Sequence, residues 1–116
     1  MGQLTETHLR YLLAIYEISL EESDVSSMNI AGRLKVRKST VSVMMDALMC
    51  RKLLIKKRYG KVYLTDDGYL IARRLENNVI FLMNMFEKQK LKLTAGERHK
   101  AAVGAALTMP EIELGL

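Results

Sequence analysis

The sequence holds a single cysteine and a single proline, and no long run of apolar residues. One cysteine cannot close an internal disulfide. One proline beside seven glycines leaves little room for long irregular loops. No apolar run approaches the roughly 20 residues that a bilayer-crossing helix needs. The N-terminus, Met1-Gly2-Gln3-Leu4-Thr5-Glu6-Thr7, lacks the basic-then-apolar order of a secretory signal. Glu6 stands where a myristoylation signal requires Ser or Thr. The expected setting is the cytoplasm, with no membrane partner. There is no Gly-rich phosphate loop, no nucleophile beside a plausible base and no carboxylate pair with an obvious site, so no enzyme is expected.

At 116 residues, 49% of them hydrophobic and 27% charged, the chain is one domain by length, with a modest core. Its charge is unevenly placed. From Ala31 to Lys61 there are ten Lys or Arg and one acid, Asp46, giving +9 in a chain whose total is +5. The remainder must be net negative. Basic charge concentrated in this way suits a surface that meets a polyanion. A charge run is more often simply a solvated face; here it spans a turn, a helix entrance and a hairpin tip.

The spacing predicts a first helix from Thr5 to about Glu22, with Leu9, Leu12, Leu13, Tyr16 and Leu20 on one face. Tyr11, Ala14, Ile15 and Ile18 widen that stripe, so the helix is either sandwiched in its own domain or packed on another subunit. Ser26 or Ser27 can cap a second helix carrying Met28, Ile30, Ala31 and Leu34. Lys35-Val36-Arg37 is short enough only for a turn. A third helix, from about Lys38 to Arg51, has a core stripe of Val41, Met44, Met45, Leu48 and Met49. Ser39, Ser42, Val43 and Asp46 point the other way. These short side chains suit a helix laid in a major groove, although Ser39 or Thr40 could instead serve only as helix caps.

Leu53 to Ile55 and Val62 to Leu64 read as two strands around Lys56-Lys57-Arg58-Tyr59-Gly60-Lys61, with Gly60 supplying the positive φ of a tight hairpin. Thr65 then caps a long fourth helix, from about Asp66 to Gln89, with Asp66 and Asp67 at its positive end. Val79 to Phe86 is apolar nearly all round, more than a small monomer can bury. Thr94 and Glu97 have capping-box spacing, opening a last helix to about Leu107. Pro110 ends it, and residues 110–116 form a tail.

Four motifs fall in order: Ile15-Tyr16-Glu17, Ile30-Ala31-Gly32-Arg33-Leu34, Ser39-Thr40-Val41-Ser42 and Leu64-Thr65-Asp66-Asp67-Gly68. Together they resemble the diphtheria toxin repressor family of iron- and manganese-dependent transcriptional repressors. The resemblance is good over residues 4–86 and loose over 92–109. It implies a mainly α fold with a small β-hairpin: a winged helix-turn-helix over residues 1–65, followed by dimerisation helices over 66–109. It implies a homodimer on a palindromic operator in double-stranded DNA. Arg37, Ser39, Thr40, Ser42 and Val43 would face the bases. Lys38, Lys56, Lys57, Arg58 and Lys61 would join Arg37 on phosphates or in the minor groove. Leu13, Val79, Ile80, Leu82, Met83 and Phe86 would form the dimer interface.

The family's metal-ligand positions are occupied here by Arg10, Leu13, Val79, Met83, His99, Val103, Ala106 and Leu107. Only His99 could bind a divalent ion, which needs about four to six donors. No cofactor is therefore expected. Mn, Fe or Zn would require relocated ligands such as His8, His99 or Cys50. The plainer expectation is a packed or surface His99, an exposed His8, a buried inert Cys50, and methionines that fill core stripes. Two alternatives to a metal-free repressor remain: an interaction module partnering a metal-sensing relative, and a metal-dependent repressor with relocated ligands.

Overall fold

The computed structural model describes residues 4–22, 24–90 and 92–108. Five α-helices and one two-stranded antiparallel hairpin follow in the order α1 (Glu6–Glu21), α2 (Ser27–Leu34), α3 (Lys38–Cys50), β1 (Leu54–Lys56), β2 (Val62–Leu64), α4 (Asp66–Lys88) and α5 (Ala95–Thr108). This is the mainly helical, winged arrangement that the sequence predicts. Pro110 and the tail lie outside the described residues. The chain divides into two compact units, Met1–Ala72 and Arg73–Leu116.

The first unit is built around one apolar cluster. Tyr11, Leu12, Ile15 and Ile18 of α1 meet Ile30 and Ala31 of α2, Val41, Met45 and Leu48 of α3, and Leu53, Leu54 and Val62 around the hairpin. Both stripes of α1 are buried in the single chain, Leu12 and Leu13 from the predicted face and Tyr11, Ala14, Ile15 and Ile18 from the face that widened it, so the first of the two expected arrangements holds. Leu20, expected on the buried stripe, is 68% exposed. Only the end of the predicted stripe departs, because the 9–13–16–20 line runs off the core in the last turn. His8, expected to be exposed, is buried. Its Nδ1 accepts the Thr5 amide at 3.0 Å, while the Thr5 hydroxyl accepts the His8 amide at 3.2 Å. A histidine therefore stands where a capping box usually has Glu.

Local chemistry ends each element. Ser26 caps α2, accepting the Asn29 amide at 3.2 Å. Lys35 turns left-handed at φ 56°, which lets the Val36 amide reach back to the Ala31 carbonyl. Lys52, at φ 60°, does the same after α3, with Leu53 N–H on the Leu48 carbonyl and Lys52 N–H on the Met49 carbonyl. Both are Schellman-type stops made without glycine. The hairpin pairs Leu54 with Leu64, Ile55 with Tyr63 and Lys56 with Val62, so β1 begins one residue later than predicted.

The second unit carries the rest of α4 and α5. Leu75, Asn78, Val79 and Leu82 are buried on α4, and Ala102, Ala106 and Leu107 on α5. The predicted capping box is present: Glu97 Oε1 accepts the Thr94 amide at 2.9 Å, and the Thr94 hydroxyl accepts the Glu97 amide at 3.1 Å. Hydrogen bonding to the carboxylate from the Thr94 amide, and then from the Thr94 side chain, holds the Glu97 carboxyl below its usual pKa. No helix among the described residues is long and apolar enough to cross a membrane.

Candidate nucleic-acid interface

Helix α3 is gripped from one side. Val41, Met45 and Leu48, at i, i+4 and i+7, are buried in the core. This leaves Ser39, Ser42, Val43 and Asp46 outward, all exposed, with Val43 at 69%. Thr40 is exposed as well. The N-cap is Arg37, and no side chain caps it among the described residues. Ser39 and Thr40 are therefore not caps. No side chain among the described residues caps the first amides of α3, which stand beside exposed Arg37 and Lys38. Free helix amides and cations together favour an anion such as a phosphate.

The hairpin is fastened on two sides. Val62 N–H donates to the Val25 carbonyl at 2.9 Å, and Ser26 forms an antiparallel bridge with Lys61. On the other side Thr65 N–H donates to the Leu53 carbonyl at 3.1 Å. The Thr65 hydroxyl donates to the Lys52 carbonyl at 2.8 Å and accepts the Gly68 amide at 3.1 Å. Tyr16 of α1 meets Tyr69 of α4 edge-on, with ring centroids 5.7 Å apart. The wing is thus positioned by α1, the connector after it and the entrance of α4.

The predicted cations of the wing differ in their surroundings. Lys56 and Arg58 are exposed. Lys57 Nζ lies 5.1 Å from the centre of the Tyr63 ring, within cation–π range. Lys61 is half-buried and pairs with Asp24 at 3.3 Å. Arg33 pairs with Glu21. Glu21 at the end of α1 and Asp24 in the connector after it thus balance two cations of the basic stretch, a partnership that linear charge counting missed. The tip is closed by Lys57 N–H on the Lys61 carbonyl at 2.8 Å. Gly60 has φ 72° as predicted, but Tyr59 also turns left-handed, at φ 64°.

The residues expected at a dimer interface separate into two sets. Leu13, Val79 and Leu82 are 2%, 0% and 5% exposed within the single chain. Ile80 is exposed, while Met83 and Phe86 are half-buried. Phe81 and Met85, which the sequence reading did not single out, are 46% and 40% exposed. The signal for them was present in the all-round apolar run of α4, but periodicity could not say which side faced inward.

The donor set does not fit a divalent ion. Among the described residues no three His, Cys, Asp or Glu side chains gather. Leu13, Val79, Val103, Ala106 and Leu107 carry no donor atom, and Arg10 brings a cation. His99 is half-buried on α5. His8 Nδ1 is committed to Thr5, and burial, then the nearby Arg51, holds the ring below its ordinary pKa. Cys50, expected to be a buried thiol, is exposed. It lies in the last turn of α3, beyond the buried Leu48.

Comparison with known proteins agrees with this architecture. The chain is similar to the manganese regulator SloR, at 27% identity and a TM-score of 0.72, covering 95% of this chain and 50% of that one. It is similar to IdeR of T. acidophilum, at 22% identity and TM-score 0.74, with 96% and 51% coverage. It is also similar to the metal-dependent transcriptional regulator MtsR, at 24% identity and TM-score 0.73, with 92% and 49% coverage. The chain thus spans about half the length of these solved relatives. No curated protein sequence matches it. The family described as "Iron dependent repressor, N-terminal DNA binding domain" matches residues 3–62. That match covers just over half of the chain and takes in α1, the helix-turn-helix and the start of β2. The chain therefore belongs to the iron-dependent repressor family.

Proposed function

We propose that the chain is a sequence-specific DNA-binding transcriptional regulator, a repressor acting in the cytoplasm as a homodimer on a palindromic operator. The observation that carries this is the outward face of α3. Ser39, Thr40, Ser42 and Val43 are exposed on a helix whose opposite side is locked in the core, with uncapped amides and two cations at its entrance. The hydroxyls can exchange hydrogen bonds with base edges, and Val43 can meet a thymine methyl. Arg37, Lys38, Lys56 and Arg58 supply phosphate contacts, which fix register without carrying sequence. Lys57 and Lys61 join them when DNA phosphate competes with Tyr63 and Asp24.

Residues 1–65 form the DNA-binding part of this reading and 66–109 the dimerisation helices. Exposed Ile80, Phe81 and Met85, beside Met83 and Phe86, supply the apolar surface for a second copy. Two α3 helices would then lie one or more DNA turns apart, at about 34 Å per turn. The relatives SloR and MtsR are described as a manganese regulator and a metal-dependent regulator. Among the described residues of the present chain no three His, Cys, Asp or Glu side chains gather, and we propose that it binds DNA without a metal switch. Selection of bound sequences from a random DNA pool, with and without divalent metal, tests this. A palindromic consensus in both arms is expected. A consensus only with metal, together with stoichiometric heat on titration with Mn²⁺, Fe²⁺ or Zn²⁺, would establish relocated ligands instead.

The exposed apolar side of α4 also favours a second reading, in which the chain pairs with a metal-sensing relative. Light scattering on the purified chain separates the two: a dimer supports the homodimer, and a clean monomer supports the mixed pair.

A further inference from the structure

The wing tip holds an aromatic residue that the fold does not use. Tyr59 has φ 64° and ψ 24°, a left-handed conformation that any residue with a Cβ resists. Its side chain is 94% exposed, so the strained backbone is not offset by burial in the folded chain. The sequence could have placed glycine here, as it does at Gly60, or asparagine, which tolerates this geometry better. Lys35 and Lys52 take the same conformation where helix-stop hydrogen bonds require it; at the wing tip it is an exposed aromatic ring that does so, and such strain points to a partner outside the chain.

The surroundings indicate that partner. Tyr59 is flanked by Lys56, Lys57 and Arg58, and the tip that presents it is closed by the Lys57–Lys61 backbone bond. The same unit carries the hydroxyl-rich face of α3. We propose that Tyr59 contacts double-stranded DNA, packing its ring against sugars and base edges of the minor groove while Lys56 and Arg58 hold the adjoining phosphates. The inference rests on the DNA-binding reading above. It adds a contact of a different kind: an aromatic surface buried on DNA whose contribution does not depend on released counterions.

The test measures anisotropy of a labelled duplex drawn from the random-pool selection, across a salt series. It compares the parent chain with Tyr59→Asn, Tyr59→Phe and Arg58→Ala. Tyr59→Asn relieves the backbone, so it should melt at or above the parent temperature yet bind about tenfold more weakly at every salt concentration. Tyr59→Phe keeps the ring and should bind within about twofold of the parent. Arg58→Ala should instead flatten the slope of log affinity against log salt by about 0.9. If the parent binds with a steep salt slope and Tyr59→Asn binds equally well, DNA binding stands and the role of Tyr59 is overturned. A Tyr59→Asn variant that changes the slope as Arg58→Ala does would also overturn it, because the effect would then be one of charge. A parent that binds no duplex in a salt-dependent way overturns both readings.

Discussion

Gly68→Ala places a methyl group where the fold has no room. An added Cβ would lie 2.2 Å from the Leu53 carbonyl oxygen, 3.1 Å from its carbonyl carbon and 3.3 Å from Leu64 Cδ2. A carbon and a carbonyl oxygen ordinarily stand at least about 3.3 Å apart, so the entrance of α4 or the lead-in to β1 must retreat by about 1 Å. Neither is the free end of a flexible side chain. The same Leu53 carbonyl accepts the Thr65 amide, and the Thr65 hydroxyl ties the Gly68 amide to the Lys52 carbonyl. Overpacking of this kind costs about 1–3 kcal/mol. A broken hydrogen bond at the seam adds about 1 kcal/mol, and the better helix propensity of alanine offsets about 1 kcal/mol. With the clash taken near its upper end because both sides are backbone, the net loss is about 2–3 kcal/mol. In a domain of this size that lowers the melting temperature by about 10 °C. Gly104→Ala is the control, since nothing lies within 4 Å of its added Cβ; it should melt at or slightly above the parent. Thermal and urea unfolding followed by circular dichroism provide the measurement. A Gly68→Ala protein that melts no lower than the parent would refute the argument that this glycine is required by close approach.

His8 should make stability depend on pH. Burial, and then Arg51, lower its pKa from the ordinary 6.5, so the unfolded chain takes up the proton first as pH falls. The contribution of neutral His8 is present above about 6.5 and is lost as pH drops from there through the folded pKa; urea unfolding across that window should show a slope that His8→Gln removes. Val43→Asn should leave stability within about 0.5 kcal/mol, because the side chain is already in water, while changing the base selected at one position by about 1–3 kcal/mol. Asp24→Asn should free Lys61 for phosphate and steepen the salt slope of DNA binding by up to about 0.9. Its melting temperature should change little, since the Lys61 and Asp24 side chains are 42% and 55% exposed and such pairs contribute at most about 1 kcal/mol.

The elements were legible where one physical signal dominated. Val41, Met45 and Leu48 repeat at helical spacing with polar residues opposite, so the inner and outer faces of α3 could both be read from the chain. Thr94 with Glu97, and Thr65 before Asp66, announced the starts of α5 and α4 through their capping chemistry. Reading failed where two signals competed. Apolar residues on every side of α1 left two arrangements open, and Leu20 was misassigned because the 9–13–16–20 line runs off the core in the last turn. The turns at Lys35, Lys52 and Lys90 use left-handed backbone without glycine, so the usual marker of a helix stop was missing. His8 occupies a box position normally held by a carboxylate or amide, which made a buried cap look like a surface histidine. The pairing of Asp24 with Lys61 joins residues far apart in sequence and follows from the wing lying against the α1–α2 connector, which no local pattern encodes.

The bonds that fasten the hairpin have a thermodynamic consequence. Val62 to Val25, Thr65 to Leu53, and the closed Lys57–Lys61 tip order the wing when the chain folds, before any partner arrives. The entropy of arranging α3 and the hairpin relative to one another is therefore spent in folding and does not reappear in association. Calorimetry of complex formation should then show a heat-capacity change that matches the apolar area covered, without the excess that accompanies a segment folding as it binds.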